Sequence, residues 1–298
     1  MRGIKQSLSV VGYNFQYWRK NARIIVTFAL AFVLCFLLTD KAVRFAQEHG
    51  TTMQLAEAFI WTFGDSDSIL LVSLLLILLF ADMPFLSSGT PFYLMRMNRR
   101  RWITGQLLYT VVATTLFLLF IWGSTILVCI RQSYLGNVWS ETAAILGYSG
   151  AGKAIAVPAL VKTLEMSFPY RAMFTIFGLM LSYTLVLVFI MLVFTLWKGS
   201  AAGIVSGFVF SVFGFLLKPT TIEAVFQLPA GLYYKANVAI GWLSPLNQAT
   251  YHMHNFGYDR LPRMWQSFII FGGLIVLGFL MALWAIRKYN FVFTGTEG

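Results

Sequence analysis

Residues Gly147-Tyr148-Ser149-Gly150-Ala151-Gly152-Lys153 carry the glycine and lysine spacing of a phosphate-binding loop. In such a loop backbone N–H groups cradle a phosphate chain and the lysine reaches its outer end. The next position is Ala154, where a Ser or Thr hydroxyl must hold magnesium, and no apolar strand ending in an acid follows. A glycine-rich turn is the better reading. His252 and His254 flank Met253 and would share one side of a strand, with Asp259 as a third ligand, but a metal site needs three or four donors. Histidines of a loop are expected instead, and no metal site is assigned. No carboxylate pair and no Ser/His/Asp set falls within the apolar blocks, so catalytic residues are not assigned either. Asp82, in Phe80-Ala81-Asp82-Met83-Pro84, is the one acid inside such a block. A carboxylate at mid-membrane costs about 2.5–3.5 kcal/mol, which leaves two readings: an ion pair with Arg96 or Arg99 or an interfacial position near the span end, or a gating or coupling role.

The elements that would position these residues are set by composition. The chain has 298 residues, of which 58% are hydrophobic and 11% charged. A soluble domain carries roughly 25% charged residues, so this chain cannot cover itself with polar surface. Its apolar residues gather into six blocks, at about 24–39, 69–88, 105–130, 172–197, 201–217 and 267–286. Each approaches the length that crosses ~30 Å of hydrocarbon, and helices are the expected spanning form because alternating strands are absent. The predicted fold is all-α, a polytopic membrane domain over 24–288, followed by a tail at 289–298. Cys35 and Cys129 fall inside spans, where a small hydrophobic role is expected rather than a disulfide.

Lysine and arginine near the span ends set the predicted orientation. With the N-terminus in the cytoplasm, 12 of the 22 basic residues fall in inner segments, among them the cluster Arg99 to Arg101. The inner segments total roughly 55 residues and the outer ones roughly 120, so the density favours both termini inside. Nine of the 11 acids then lie outside. The positive charge suits anionic lipid at the cytoplasmic face of a cell membrane rather than nucleic acid. The basic stretch before the first span lacks a small-residue cleavage site at Asp40-Lys41-Ala42-Val43-Arg44, so that span is expected to remain attached.

Between the spans four segments stand out. Ile4, Leu8, Val11, Phe15 and Trp18 recur at helical spacing, which predicts an amphipathic helix over 1–23 lying in the inner interface. Pro91, Phe92, Tyr93, Leu94 and Met95 precede Arg96, Arg99, Arg100, Arg101 and Trp102. Topology needs only the charges; the apolar side chains predict a short amphipathic helix with anchors for a groove on a partner. Gly199, Gly203, Gly207 and Ser211 place a small residue at every fourth position, a ridge for close helix approach within the chain or across a dimer. Trp242-Leu243-Ser244-Pro245-Leu246 is too apolar for a water-exposed loop and predicts either a helix that re-enters the outer leaflet or a small folded cap.

Taken together, the basic amphipathic helix, the six spans, the Arg-rich loop after span two and the apolar segment before span six resemble the membrane (permease) subunit of a type-2 ATP-binding-cassette exporter. The stretch from Leu94 to Gln106 looks like the family's cytoplasmic loop leading into the third span, and Trp242 to Leu246 looks like its outer re-entrant segment. The long loop between spans three and four departs from the family pattern. The resemblance implies a homo- or heterodimer of permease subunits on two separate cytoplasmic ATPase subunits. It further implies that ATP and magnesium bind those partners, with no cofactor in this chain. Coupling through residues 91–102 and the N-terminal helix, a pathway lined by spans two and five, and export of a peptide, drug or lipid-like substrate follow from it as expectations. The alternatives are a transporter or channel that needs no ATPase, and a membrane sensor or assembly protein.

Overall fold

The computed structural model describes residues 2–85, 90–91, 95, 97–217, 221, 233–257 and 259–289. Among these the chain is almost wholly helical. Helix α1 (Arg2–Gln16) leads through a 3-10 turn to α2 (Ala22–Glu48), which starts where the Asn21 side chain accepts from the Arg23 N–H at 3.1 Å. A short helix α3 (Glu57–Phe63) and the apolar α4 (Ser66–Leu79) follow, bent 85° at their junction. Helix α5 (Arg99–Cys129) leads to α6 (Glu141–Tyr148), α7 (Ala151–Ala154) and α8 (Val161–Met166). Helix α9 (Pro169–Lys198) begins with Pro169 in its first turn, where the missing N–H costs nothing. It turns at Gly199, whose φ of +93° suits glycine, into α10 (Ser200–Leu216). Then come α11 (Tyr233–Leu243), α12 (Pro245–Ala249) and α13 (Met264–Ala285). The one sheet among the described residues pairs Met53–Gln54 with Ser133–Tyr134 in parallel, Met53 opposite Ser133.

Four helices, α2, α5, α9 and α13, are long and apolar enough to cross a membrane, and the bent α3–α4 pair makes a fifth if taken as one crossing. This is consistent with a membrane protein. The expected fifth span, α10, is helical but has only 17 residues, roughly 25 Å of helix against ~30 Å of hydrocarbon. Two expected boundaries also move. The first apolar block continues as helix through Asp40, Lys41 and Arg44, because Arg44 pairs with Asp40 one turn earlier at 2.7 Å. The second ends early, at Leu79, so Asp82 lies in a turn beyond the helix rather than inside it.

The core is centred on α9, 72% of whose most apolar stretch is buried, against 28% for α2 and 17% for α13. Apolar side chains cover the outward faces, among them Ile25, Phe36, Val205, Phe208, Ile269 and Val276, all exposed. Water does not favour such surfaces, and hydrocarbon does. Around the core, α1 and α2 pack on α5, while α10 and α13 pack on α9, with α4 touching both groups.

Small residues set the tightest of these approaches. A Cβ on Gly207 would come within 2.7 Å of Met191 and 3.2 Å of Ile77; one on Gly203 would meet the Met191 carbonyl at 2.8 Å. Gly214 faces Leu246 in the same way, at 2.6 Å, and Ser211 is fully buried. The ridge of Gly203, Gly207 and Ser211 therefore turns inward, toward helices of the same chain, while Gly199 serves as the turn. Gly207→Leu forces α10 away from both α9 and α4. It is expected to destabilise the detergent-solubilised protein by about 1–3 kcal/mol, read as a lower thermal midpoint, whereas the same change at exposed Val205 leaves the midpoint in place.

Candidate coupling surface at the basic end

The helices alternate in direction, so their termini gather at two ends. One end holds α1, the starts of α2 and α5, the end of α4, the α9–α10 turn and the end of α13. Arg19, Lys20, Arg99, Arg100, Arg101, Lys198, Arg287 and Lys288 are exposed there, and Asp82 is the one acid at that end among the described residues.

Helix α1 is fixed along the first turns of α5. Gly105 makes room: a Cβ there would sit 2.8 Å from Val10 and 2.9 Å from the Ser7 carbonyl. Into this close seam two polar side chains are buried as a pair, with Asn14 Nδ2 donating to Gln106 Oε1 at 2.9 Å. Gln106 Nε2 donates onward to the Phe85 carbonyl at 3.5 Å, which ties in the segment after α4. Trp18 Nε1 donates to the Tyr109 hydroxyl at 2.7 Å, and Phe15 and Phe85 pack on the Tyr109 ring at 5.0 and 5.2 Å. The Ser7 hydroxyl donates to the Arg101 carbonyl at 3.1 Å, and Arg101 Nη1 donates to Gln6 Oε1 at 2.9 Å. Buried polar groups matched this way resist separation, because parting them strands both in an apolar seam.

The expected stripe on α1 is therefore divided. Val11, Phe15 and Trp18 pack on the core, but the most buried positions are Ser7, Val10 and Asn14, and Leu8 is 51% exposed. The helix rotates from its most apolar face because the seam with α5 offers partners for Ser7 and Asn14. Those residues repeat at the same helical spacing, but their polarity hid them from a search for apolar stripes.

Among the residues expected to meet a partner, Arg99, Arg100 and Arg101 are exposed, and Arg99 Nη1 donates to the Tyr289 carbonyl at 3.2 Å, joining α5 to the end of α13. Trp102 is 2% exposed and anchors α5 inside this chain, so it offers nothing to a groove on another. Pro91 is half-buried and helical, and Met95 is 77% exposed. Phe92, Tyr93, Leu94 and Arg96 lie outside the described residues. Asp82 is ion-paired with Arg23 at the start of α2, a partner other than those expected. This contact closes the end of α4 onto α2, and its carboxylate is 57% exposed, as an interfacial rather than a midplane group would be.

The opposite end is capped by short elements. Ser244 ends α11 and begins α12: its hydroxyl accepts from the Asn247 N–H at 3.3 Å and donates to the Gly214 carbonyl at 3.0 Å, with Pro245 in the first turn. Trp242 Nε1 donates to the Arg260 carbonyl at 3.1 Å. The segment thus folds back as helix, break and helix against α4, α9 and α10. His254 Nδ1 donates to the Thr250 carbonyl at 2.9 Å and its Nε2 accepts from Ser267 at 3.0 Å, so neither nitrogen is free for a metal. Asp259 accepts from Lys162 at 2.6 Å. His252 Nδ1 meets the Thr163 hydroxyl at 3.2 Å, and its Nε2 lies so near Gly64 that a Cβ there would come within 2.8 Å. Burial, with Lys162 nearby, pushes the His252 imidazole down to about 4, so it is neutral at pH 7. No group of three or more metal-ligating side chains occurs among the described residues. Residues 147–153 form the end of α6, a left-handed turn at Gly150 with φ +73°, and the start of α7, which is no phosphate cradle on a strand.

Compared with family models, curated proteins and solved structures, the chain matches none.

Two outcomes follow from these contacts. Asn14→Ala strands Gln106 in the seam and is expected to cost about 1–3 kcal/mol. In a double-mutant cycle with Gln106→Ala the two losses combine less than additively, by about 0.5–3 kcal/mol, read from thermal unfolding in detergent. At the capped end Glu57, on α3 and off the apolar leg α4, is fully buried and accepts from the Ser140 N–H at 2.7 Å and hydroxyl at 2.6 Å. Desolvation outweighs these bonds and raises its carboxyl from 4.5 to about 7. The folded chain then holds a proton that the unfolded chain has lost, so stability falls as pH rises from about 4.5 through about 7. Glu57→Gln is expected to flatten that slope in thermal midpoints measured between those limits.

Proposed function

We propose that this chain is the membrane permease subunit of an ATP-driven exporter. In this reading six helices cross a cell membrane, counting α10 and α4, with α3 and its elbow at the outer surface, and both termini face the cytoplasm. A separate cytoplasmic ATPase binds the basic end, and a second permease subunit completes the pathway. The substrate is hydrophobic or amphipathic.

The observation that carries the reading is the seam of α1 on α5. A partner that closes on ATP must pass its motion to the spans through rigid contacts. Here the exposed Arg99 to Arg101 open α5, α5 is joined to α1 by Asn14 and Gln106, and α2 is joined to the end of α4 by Arg23 and Asp82. A push on this end therefore reaches α1, α2, α4 and α5 together. Helices α9, α10 and α13 form the other packed group, which meets the first along α4 and along the contact of α5 with α9. The opposite end, with its folded-back α11 and α12, would serve as the exit cap.

Co-purification tests this. Replacing Phe92, Tyr93 and Leu94 by Ala is expected to abolish recovery of an ATPase subunit with the tagged chain from native membranes, together with its substrate-stimulated hydrolysis. Unchanged recovery and stimulation would contradict the assignment. Transport that survives ATP depletion and follows an ion gradient would favour an ATPase-independent transporter instead.

A further inference from the structure

A cavity of about 200 Å³ opens at the capped end between α2, the α3–α4 elbow and residues 156–158. Its walls are of two kinds. Leu37, Leu38 and Leu71 make an apolar side, and Leu37 and Leu71 are 61% and 38% exposed, continuous with the outward face of the helices. Asp65, Asp67 and Lys41 make a charged side, with Trp61 beside them.

These charged groups are not spent on one another. Neither carboxylate and not Lys41 forms an ion pair with a described residue; the nearby Asp40 is taken by Arg44. Asp65 caps the start of α4 and Asp67 stands in its first turn; burial, with the neighbouring Asp67 charge, lifts the Asp65 carboxyl above its ordinary range. A cation would offset that charge. Trp61 is 1% exposed, lines the cavity, and its indole N–H has no acceptor. A buried donor left so is unfavourable, and an acceptor on a ligand would relieve it.

Depth fits the same ligand. From Ala22 to Lys41 the helix α2 rises roughly 28 Å, close to the ~30 Å of hydrocarbon, so Lys41 and the elbow stand at headgroup level on the membrane-spanning reading proposed above. We infer that this cavity is a binding site for a zwitterionic lipid of the phosphoethanolamine class. The primary ammonium lies between Asp65 and Asp67, phosphate oxygens accept from Lys41 and Trp61, and an acyl chain runs along Leu37 and Leu71. An anionic lipid would set its charge against the two carboxylates, and a fatty acid would leave them unpaired.

The test is native mass spectrometry of the full chain, delipidated in detergent and titrated with dioleoyl phosphatidylethanolamine or dioleoyl phosphatidylglycerol. Tighter binding of the ethanolamine lipid is expected. The Asp65→Asn, Asp67→Asn double variant should lose about tenfold in affinity for it. Leu37→Trp, at an exposed position that perturbs no core packing, should block the mouth and lower affinity alike. Equal affinity for both lipids, or variants that bind like the parent chain, would overturn the site. Recovery of the chain from the soluble fraction without detergent would instead overturn the membrane reading on which it rests.

Discussion

Hydrocarbon offers a polypeptide no hydrogen bonds, and the long apolar helices of this structure are consistent with that one constraint. Backbone groups are satisfied inside long helices, which frees their side chains to be apolar on every face. Burial then becomes a matter of position rather than of composition. Helix α9 is as apolar as α13, yet 72% of its most apolar stretch is enclosed against 17% of that of α13. What holds such helices together is close fit, supplied by Gly203, Gly207 and Gly214, since apolar area alone gains little between helices already surrounded by lipid.

Polar interactions are accordingly pushed to the two ends, where they acquire direction. At the basic end they join elements that would otherwise slide, through Asn14 with Gln106, Trp18 with Tyr109 and Arg23 with Asp82. At the capped end they stitch short helices into a lid, through Glu57 with Ser140, Lys162 with Asp259 and His254 with Ser267. The first set suits transmission of a push. The second suits a closed cover whose firmness depends on protonation.

Much of this was legible in the sequence, and the reasons differ by element. Long apolar blocks report helices because nothing else spans lipid, so α2, α5, α9 and α13 lie where expected. The break at Leu79 was only partly legible: Pro84 signals a helix end, but it stands five residues on, and Phe80 and Ala81 continue the apolar run. The inward turn of the glycine ridge was likewise open, because spacing gives a face but not its neighbour. The seam of α1 uses a face other than its apolar stripe: Asn14 and Gln106, 92 positions apart, become complementary only once Gly105 lets the helices touch. An aromatic beside arginines reads the same whether it faces a partner or the core, and Trp102 faces the core.

The central claim is that an ATP-hydrolysing partner sits on the basic end and nowhere else. A photo-crosslinking residue at Met95, 77% exposed at that end, and another at Leu135, 79% exposed at the other, distinguish the ends in living cells. The account predicts that Met95 captures an ATPase subunit and Leu135 does not. Capture at Leu135, or at neither position, would contradict it.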